Sequence, residues 1–319
     1  MISIVIPNYN GVEHLKTLFP SLKNQTYKDY KVILADNGSE DESFAFTSAE
    51  FPDRIIIAIG YNSGFAKAVN EGIKYSLKNL NSEYILLLNN DTELEPDFLK
   101  TAVITFNKQR EASIIAVKML NYYNRDTIDD CGDFIKSGGG SPLARGHNEK
   151  DTGQYDEAEF IFGASAGAAF YKSEIFQSVG FFDEKFFAYY EDIDFSFRAQ
   201  LMGYKCFYQP KALCYHKRGG TSSVATHGFQ TEMCERNLVL VRVKNYPFTT
   251  YILYQPLFFI ARVKRYYTFI RIHSFIIFLR AFKGYLRGLM LLITKLPERF
   301  KIQKNRKASP SYIKSLFMR

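Results

Sequence analysis

Cysteine is scarce in this sequence. The 319 residues include four cysteines, and none of them stands in a C-x-x-C pair. Closely spaced cysteine pairs are the usual sign of a structural zinc site or a redox motif. We therefore predict a reducing compartment and no zinc site, with the cysteines acting as small buried apolar side chains.

Long apolar runs are also missing. The apolar stretches near the C-terminus are interrupted by arginine or lysine every several residues, whereas a spanning helix needs about 20 mainly apolar residues in succession. The opening residues, MISIVIPNYNG, place no basic segment ahead of a very short apolar run. The sequence therefore predicts neither a membrane-spanning helix nor a signal peptide.

Acidic residues are nearly absent from the last quarter of the chain. Residues 236–319 contain 18 lysines and arginines and one acid, Glu298, while residues 1–235 contain 23 lysines and arginines and 32 acids. The basic character of the chain therefore belongs to its C-terminal part. Charge asymmetry of this kind predicts a polyanionic partner for that part.

Glycine-rich phosphate loops are the last notable absence. Neither G-x-G-x-x-G nor G-x-x-x-x-G-K-[ST] occurs in the chain, which argues against the usual dinucleotide and P-loop sites. Without such a loop, a bound diphosphate would need a metal ion to offset its charge. Asp91 follows a buried aliphatic run and is a candidate ligand for Mg²⁺ or Mn²⁺, although an Asp at a strand end is more often a turn or helix cap.

What the sequence does contain is an alternation of strands and helices. Short β-branched or aliphatic runs predict buried strands at residues 2–7, 30–36, 54–59, 83–91 and 112–117. Helical-length segments separate them at residues 11–24, 40–50, 63–79 and 96–108, the third with Ser63 as its expected N-cap. This alternation predicts an α/β fold with a mostly parallel, doubly wound sheet.

Polar residues follow four of these strands. They lie at residues 7–10, 36–39, 61–64 and 89–91. Ligands of open parallel sheets bind beyond the carboxyl ends of the strands. These four segments are therefore the predicted ligand-binding edge.

The middle of the chain is less regular. Residues 119–160 predict a long polar excursion that is mobile or functional, and two interpretations of residues 151–156 stay open: a plain polar loop or a flap over an acceptor. Residues 159–172 predict one strand, residues 189–203 a helix that ends at Gly203, and residues 204–216 two short strands around Pro210.

From residue 231 onward the pattern predicts three helices. In the last of them the apolar side chains fall on one face and the basic ones on another, which is typical of an amphipathic basic helix. The apolar positions are Phe275, Leu279, Phe282, Leu286, Leu289 and Ile293; the basic ones are Arg280, Lys283 and Arg287. Such helices fit a solvated face over a core, a nucleic-acid site or a membrane surface. Aromatic side chains flanked by basic ones favour an anionic membrane surface, and no nucleic-acid docking element is recognisable.

One stretch, FFAYYEDIDFSFRAQLMG at residues 186–203, combines three carboxylates with six aromatic side chains. The carboxylates are Glu191, Asp192 and Asp194. Desolvated acids are costly unless they are paired or used in chemistry. Glu191 and Asp194 are each spaced to share a helical face with Arg198, so they are candidates for pairing with it, for holding the helix N-terminus or for binding an acceptor.

Several motifs occur together and in order. They are VIPNYNG, ILADNGSED, NSGFAKAVNEGI, LLLNNDTELEPDFL, the long segment from GASAGAAFYK to FSFRAQLMGY, and CYHKRGGTS. Over residues 1–245 the sequence resembles family 2 glycosyltransferases of the GT-A fold, and it is most similar to their rhamnosyltransferase-like branch. We therefore predict a GT-A catalytic domain at residues 1–235. The basic and aromatic residues of the remainder predict a membrane-associating helical region at residues 236–319.

The resemblance also implies roles for individual residues. The nucleotide-binding positions are Pro7, Asn8, Asn10, Asp36, Asn62, Gly64, Lys67 and Asn90. Asp36 matches an acid that accepts from the pyrimidine ring. Asp91 and His216 match metal ligands, although Asn stands where the stricter motif has its first Asp. Asp192 matches the general base.

The function that the resemblance implies is inverting transfer of a sugar from a nucleotide-diphosphate donor, with Mg²⁺ or Mn²⁺. The expected acceptor is a glycan or polyprenyl-linked glycan of bacterial surface polysaccharide, at the cytoplasmic face of the cell membrane. The donor stays open among dTDP-rhamnose, UDP-hexose and GDP-sugars. The alternatives are a non-catalytic carbohydrate- or nucleotide-binding protein on the same scaffold and a sugar nucleotidyltransferase. The latter would need a phosphate loop that PNYNGVEHLK does not provide.

Overall fold

A computed structural model describes residues 1–137, 140–217 and 224–318, apart from the side chains of 224–227 and 318. A ten-stranded sheet forms the centre of the protein. Four neighbouring strands at one side of it run parallel, in the order β3, β2, β1, β4. These strands are β1 (Ile2–Asn8), β2 (Tyr30–Asp36), β3 (Ile55–Ala58) and β4 (Tyr84–Leu88). In-register pairing of β1 with β2 and β4 brings their carboxyl ends to one edge, as the sequence predicts.

The other half of the sheet is mixed. Its strands are β5 (Thr92–Leu94), β6 (Ala112–Asn121), β7 (Ile128–Asp130), β10 (Glu159–Ile161), β11 (Ala168–Lys172) and β12 (Lys205–His216). Strand β11 runs antiparallel between β4 and β6, while β12 is parallel to β6. The end of β12 pairs with β5, which places His216 opposite Thr92. Residues distant in sequence therefore meet beyond β4.

Helices cover both faces of the sheet, which explains why its strands are apolar on both sides. The helices are α1 (Val12–Lys23), α2 (Ser43–Glu50), α3 (Phe65–Asn79), α4 (Phe98–Lys108), α5 (Ile175–Val179) and α6 (Glu191–Leu201), with a 3₁₀ turn at Glu184–Phe186. Val69 of α3 and Phe195 of α6 are buried in the core on one face. Leu18 of α1 and Phe98 of α4 are buried in the core on the other.

The residue-level predictions for the strands and helices are mostly close, with three corrections. Ser63 is not the N-cap of α3: Gly64 holds that position and Ser63 Oγ donates instead to Asn37 Oδ1 at 2.7 Å. The single strand predicted at residues 159–172 is two, β10 and β11, because a turn at Ser165–Ala168 separates them. The two strands predicted around Pro210 are one, β12, with an irregularity between Gln209 and Leu213.

The excursion at residues 119–160 is more ordered in its described part than the sequence predicts. It contains β7, β8 (Asp133–Lys136) and β9 (Pro142–Ala144), and β8 also pairs with β13 (Phe317–Met318). Lys118 lies 2.7 Å from carboxylate oxygens of both Asp151 and Asp156, so the segment at 151–156 is anchored to β6. Residues 138–139 lie outside the described residues.

The C-terminal part is helical, as predicted, but its described residues form five α-helices and a π-helical turn instead of three helices. It consists of α7 (Val224–Asn245), α8 (Phe248–Leu253), α9 (Gln255–Thr268), a π-helical turn (Phe269–His273), α10 (Phe275–Lys304) and α11 (Pro310–Ser315). The predicted domain boundary after residue 235 falls inside α7, and the division into two domains stays a prediction. Within the described residues, no helix has both the length and the apolarity needed to cross a membrane.

Candidate active site

The carboxyl ends of β1, β2 and β4 are joined by side-chain hydrogen bonds. Asn8 Nδ2 lies 3.3 Å from Asp36 Oδ1, and Asn90 Nδ2 donates to Asn8 Oδ1 at 2.7 Å. Asn10 belongs to the same group, because its backbone N–H donates to Ser39 Oγ at 3.0 Å. At the end of β1, Pro7 pairs with Ala35 and Asn8 pairs with Asp36 of β2. Three predicted nucleotide-binding segments are thus one cluster.

Asp36 is already well supplied with donors. Its carboxylate accepts from Ser39 Oγ at 2.5 Å, from the Ser39 backbone N–H at 3.0 Å and from the Gly38 N–H at 3.2 Å, besides Asn8. These bonds shape the turn after β2. A pyrimidine N–H would have to share this carboxylate, and the base-reading role of Asp36 stays a prediction.

The segment at residues 61–67 lies next to the acidic stretch. Gly64 has φ +84°, and a Cβ there would lie 2.5 Å from the Phe187 carbonyl oxygen, so only glycine fits. Asn62 Oδ1 accepts from the Gly64 N–H at 3.1 Å. Lys67 Nζ, exposed, donates to the Tyr61 hydroxyl at 2.6 Å. This segment therefore links the start of α3 to the loop that precedes Asp192.

Asp91 and His216 come together beyond the end of β4. His216 Nε2 lies 3.1 Å from Asp91 Oδ1, and His216 Nδ1 lies 2.8 Å from Asp129 Oδ2. Since a carboxylate accepts, Nδ1 carries a proton and Nε2 faces Asp91. Residues 218–223, which contain the rest of the CYHKRGGTS motif, lie outside the described residues.

The contact between Asp91 and His216 is close but poorly aligned for a hydrogen bond. Among the described residues, Asp91 Oδ1 is buried and has no hydrogen-bond partner. Buried polar atoms nearly always have a partner, so an orphaned carboxylate oxygen beside an imidazole nitrogen indicates a missing ligand. An oxygen and an imidazole nitrogen converging on one point suit a divalent cation.

The charges at this point depend on one another. Burial alone would raise the pKa of Asp91, but the neighbouring His216 outweighs it and lowers that pKa. Burial alone would lower the pKa of His216, yet its contacts with Asp129 and Asp91 raise it to about 9. Without a metal ion, His216 is therefore cationic at neutral pH. Nowhere in the described residues does a group of three or more His, Cys, Asp or Glu form a metal site by itself.

Asp192 lies in the first turn of α6, at the positive end of the helix dipole. Its Oδ1 accepts from the Ile193 N–H at 2.8 Å, and its Oδ2 accepts from the Ala166 N–H at 3.3 Å. The adjacent Gly167 carbonyl accepts from the Asn89 N–H at 2.8 Å. The turn before β11 thus connects the half-buried Asp192 to the end of β4, two residues before Asp91.

The two flanking acids have different surroundings. Asp194 is fully buried, and Arg198 Nε donates to its Oδ2 at 2.9 Å, so the predicted pairing with Arg198 is present. Lys244 Nζ lies 2.9 Å from Asp194 Oδ1, which leaves Asp194 no role in binding an acceptor. Glu191 is buried, and burial together with Asp192 raises its pKa well above the usual range. Burial and the neighbouring carboxylate thus favour the protonated form of Glu191.

The loop before Asp192 is conformationally strained. Phe187, Tyr189 and Tyr190 all have positive φ, between 65° and 70°, which non-glycine residues seldom adopt. Asn237 Nδ2 on α7 donates to three carbonyls of this loop at 2.7 to 3.1 Å, and Arg236 donates to two. Strained backbone persists where surrounding contacts fix it. The C-terminal helices thus hold the loop that positions Asp192.

The sequence profile described as Glycosyl transferase family 2 matches residues 3–180, more than half of the chain. The chain belongs to glycosyl transferase family 2. Among its relatives, the "Low-salt glycan biosynthesis hexosyltransferase Agl10" of Haloferax volcanii is 29% identical over 204 residues, covering 62% of this chain and 61% of Agl10. The family 2 chain thus matches about three fifths of the length of that curated relative.

Solved structures agree on the fold. S. aureus TarS 1-349 in complex with UDP-GlcNAc matches 95% of the family 2 chain and 83% of its own, with 15% identity and a TM-score of 0.60. The mannosyltransferase PcManGT from Pyrobaculum calidifontis, in complex with GDP-Man and Mn²⁺, matches 95% and 85%, with 13% identity and a TM-score of 0.54. At this identity the likeness shows the fold alone, and that fold is GT-A.

Three residues of this family 2 site were missed from sequence. Asp129 lies in the segment at residues 119–160, which the sequence predicts to be a loop. The tripeptide IDD at residues 128–130, which follows a polar turn, could have indicated a short strand. Asn237 and Lys244 lie in an apolar helix pattern, where a buried polar residue has no local signature. Asp129 contacts His216 and Lys244 contacts Asp194, while Asn237 contacts the loop before Asp192. Each contact joins distant parts of the chain, which explains why spacing alone does not reveal it.

Proposed function

We propose that this family 2 glycosyltransferase is a metal-dependent, inverting enzyme that transfers a sugar from a nucleotide-diphosphate donor to a hydroxyl group of a glycan. The observation that carries the proposal is the orphaned, buried Asp91 Oδ1 beside His216 Nε2 at the ligand edge of the sheet. Asp91 and His216 would hold Mg²⁺ or Mn²⁺, with donor phosphate oxygens and water as the remaining ligands. When bound, that ion offsets the charge of the departing diphosphate.

Asp192 is the proposed general base. Inversion requires the acceptor hydroxyl to attack the anomeric carbon from the side opposite the leaving group. A new bond forms between the hydroxyl oxygen and that carbon, the bond from the carbon to the diphosphate oxygen breaks, and the hydroxyl proton passes to a carboxylate oxygen of Asp192. General-base catalysis of this kind contributes about 10²- to 10⁴-fold to the rate. The raised pKa of Glu191 favours its protonated form, which avoids a second negative charge near the base.

The proposed donor is dTDP-rhamnose or a UDP-hexose, and Asp36 would contact its pyrimidine base. The neighbours do not decide between bases, since one is a complex with UDP-GlcNAc and the other with GDP-Man. The nucleotide-binding cluster offers amide and carboxylate groups from Asn8, Asn10, Asp36 and Asn90, which suit the hydrogen-bonding edges of a base and ribose.

The acceptor is proposed to be a growing, polyprenyl-linked glycan in bacterial surface polysaccharide synthesis, at the cytoplasmic face of the cell membrane. The name of the Haloferax relative, a glycan biosynthesis hexosyltransferase, supports a glycan acceptor. The proposed membrane location rests on the exposed apolar side chains of the C-terminal helices and the basic side chains beside them.

The test is a panel of dTDP-, UDP- and GDP-sugars with Mg²⁺ or Mn²⁺. Binding and donor hydrolysis are measured for the wild type, Asp91→Ala and Asp192→Asn, with Glu111→Gln as an exposed-carboxylate control. We expect one donor to bind with metal, Asp91→Ala to weaken binding, and Asp192→Asn to bind normally but lose about 10²- to 10⁴-fold in turnover. A folded protein that binds no nucleotide sugar would contradict the proposal. Binding without turnover in the wild type would favour the non-catalytic alternative.

A further inference from the structure

Exposed apolar side chains are concentrated in one part of the protein. In the described residues, 27 large apolar side chains are exposed, and 19 of them lie between Phe248 and Phe300. Scattered exposed apolar residues are normal, but a contiguous patch of more than a few hundred Å² marks an interaction site. The C-terminal helices therefore present a surface that the fold itself does not cover.

The packing of α10 explains this exposure. Its small residues Ala281, Gly284 and Gly288 are buried, and Cβ atoms at the two glycines would lie 2.1 and 2.8 Å from the carbonyl oxygens of Glu232 and Arg236 on α7. The helix thus approaches α7 with its small-residue face. Its large apolar residues project the other way, which is the reverse of an ordinary surface helix.

The outward face of α10 is strongly apolar over its length. Phe275 and Ile276 at its start are 60% and 69% exposed, and Met290 and Ile293, four turns later, are 75% and 74% exposed. The sequence predicted this apolar stripe correctly. What the sequence left open was whether the stripe or the opposite face packs against the protein.

Basic side chains border this stripe. Arg280, Lys283 and Arg287 are about half exposed and all lie within 3.4 Å of one buried carboxylate, Glu232. One acid facing three cations leaves the border net positive. Such side chains extend along an apolar surface and keep their charged ends in water or among headgroups.

Helix α9 continues the same kind of surface. Phe259, Val263 and Tyr267 are between 52% and 65% exposed, and Lys264 and Arg271 are exposed nearby. Two helices joined by the π-helical turn therefore carry apolar side chains with basic groups beside them. We call the exposed residues of α9, the turn and α10 the hairpin surface.

We propose that the hairpin surface binds the interface of an anionic lipid bilayer, with α9 and α10 lying in its plane and their apolar side chains below the headgroups. A helix with an apolar face and basic groups at its edge is suited to this position. The anionic headgroups complement a segment in which residues 236–319 hold 18 basic residues and one acid. This proposal does not depend on the sugar-transfer reaction.

A second copy of this chain is a poorer occupant. A two-fold dimer would place the same surface against itself. Each basic border keeps a net positive charge beyond its Glu232, so the borders of the two copies would repel one another, and like charges at an interface cost several kcal/mol. Charge therefore favours lipid over self-association.

The test is co-sedimentation of the full chain with vesicles. Vesicles of equal parts phosphatidylglycerol and phosphatidylcholine are compared with pure phosphatidylcholine, at low and at physiological salt. The variant Met290→Asp/Ile293→Asp adds two charges to the apolar stripe. Its matched control, Phe44→Asp/Tyr123→Asp, adds the same charges at positions that are 56% and 71% exposed outside the hairpin surface. All four positions are exposed, and circular dichroism with thermal melting verifies the fold.

We expect the wild type to sediment with the anionic vesicles and to bind less as salt rises. Met290→Asp/Ile293→Asp should weaken binding at least about tenfold, because two apolar side chains leave the bilayer, and the control pair should bind as the wild type does. Lys264→Gln/Arg271→Gln should weaken binding about fivefold for each charge removed. A folded wild type that ignores anionic vesicles overturns the proposal, as does equal loss in the control pair. Dimers in solution that Met290→Asp/Ile293→Asp dissociates would assign the surface to a second copy instead.

Discussion

Two buried clusters of charged side chains lie on either side of Asp192. They differ in whether every aspartate oxygen has a hydrogen-bond partner. The first, the metal-side cluster, consists of Asp91, Asp129 and His216. The second, the helix-junction cluster, consists of Asp183, Asp194, Lys244 and Lys295, together with Glu298. In the first cluster Asp91 Oδ1 has no hydrogen-bond partner among the described residues. In the second, both aspartates have close cationic partners.

The helix-junction cluster is a structural tie. Lys244 Nζ lies 2.6 Å from Asp183 Oδ2 and 2.9 Å from Asp194 Oδ1, and Lys295 also pairs with Asp183. Burial opposes ionisation, but the lysines outweigh it and lower the pKa of both aspartates. The cluster joins α6 to α7 and α10. The comparison teaches that carboxylates with hydrogen-bonded lysine and arginine partners tie α6 to the C-terminal helices, whereas the Asp91 oxygen that lacks a hydrogen bond marks the proposed metal site.

The largest expected effect comes from breaking the helix-junction cluster. Lys244→Met would leave two buried carboxylates without their shared cation, and removing one partner of a buried ion pair costs about 3–5 kcal/mol of stability. Urea unfolding monitored by circular dichroism would show the loss. An unchanged unfolding midpoint would mean that the cluster does not hold the helices together.

A smaller effect, on metal affinity, is expected from changing Asp129 in the metal-side cluster. Asp129→Asn keeps a hydrogen-bond acceptor for His216 but removes the charge that orients and polarises it, and such second-layer changes lower metal affinity about 10- to 100-fold. Mn²⁺ binding is followed by electron paramagnetic resonance, with Asp126→Asn, an exposed acid of the same segment, as control. Equal Mn²⁺ affinity in Asp129→Asn and wild type would remove Asp129 from the site.

The pH dependence of stability separates Glu191 from Asp194. Burial and Asp192 raise the pKa of Glu191 in the folded state, so the unfolded chain releases this proton first, and stability falls as pH rises above the unfolded value of about 4.3. Asp194 has a lowered pKa, so its contribution is present above about pH 4 and is lost in acid. Glu191→Gln should therefore melt progressively higher than wild type between mildly acidic and neutral pH. A difference independent of pH would show that Glu191 is ionised in both states.

The smallest effect is expected at an exposed pair. Lys205 and Glu111 form an ion pair with side chains 42% and 69% exposed. Exposed ion pairs contribute little to stability because solvent screens them, so Lys205→Met should change the free energy of unfolding far less than Lys244→Met does. A loss as large as that of Lys244→Met would mean that burial does not distinguish the two lysines.

Much of the fold was predictable because its signals are local. The runs ISIVIP and YKVILAD form β1 and β2 with nearly the predicted bounds, because a short aliphatic run between turns rarely forms anything except a buried strand. The start of α3 was missed by one position, because the close approach of Phe187 to Gly64 is a tertiary contact. Local patterns identify strands and helices, while contacts between distant segments set where they begin.

The site was predictable only in part, for the same reason. Asp91 and His216 are 125 positions apart and meet because β12 pairs with β5. Their shared role as metal ligands was predicted from the family resemblance and not from their spacing. The role of Asp194 in the helix junction depends on Lys244. The sequence of α7 shows only an apolar and basic pattern, which does not distinguish Lys244 from its exposed neighbours. The apolar face of α10 points away from the protein because Gly284 and Gly288 on its other face approach α7 closely.

The most direct test of the account is the metal dependence of nucleotide binding in Asp91→Asn. Calorimetric titration of UDP, dTDP and GDP is carried out with and without Mn²⁺ on wild type and variant, with melting temperatures measured in parallel. The account predicts that Mn²⁺ strengthens binding of one nucleotide to the wild type, and that Asp91→Asn abolishes this gain while melting at the same temperature. If Asp91→Asn retains the full Mn²⁺-dependent gain, Asp91 does not hold the metal ion and the proposed site is wrong.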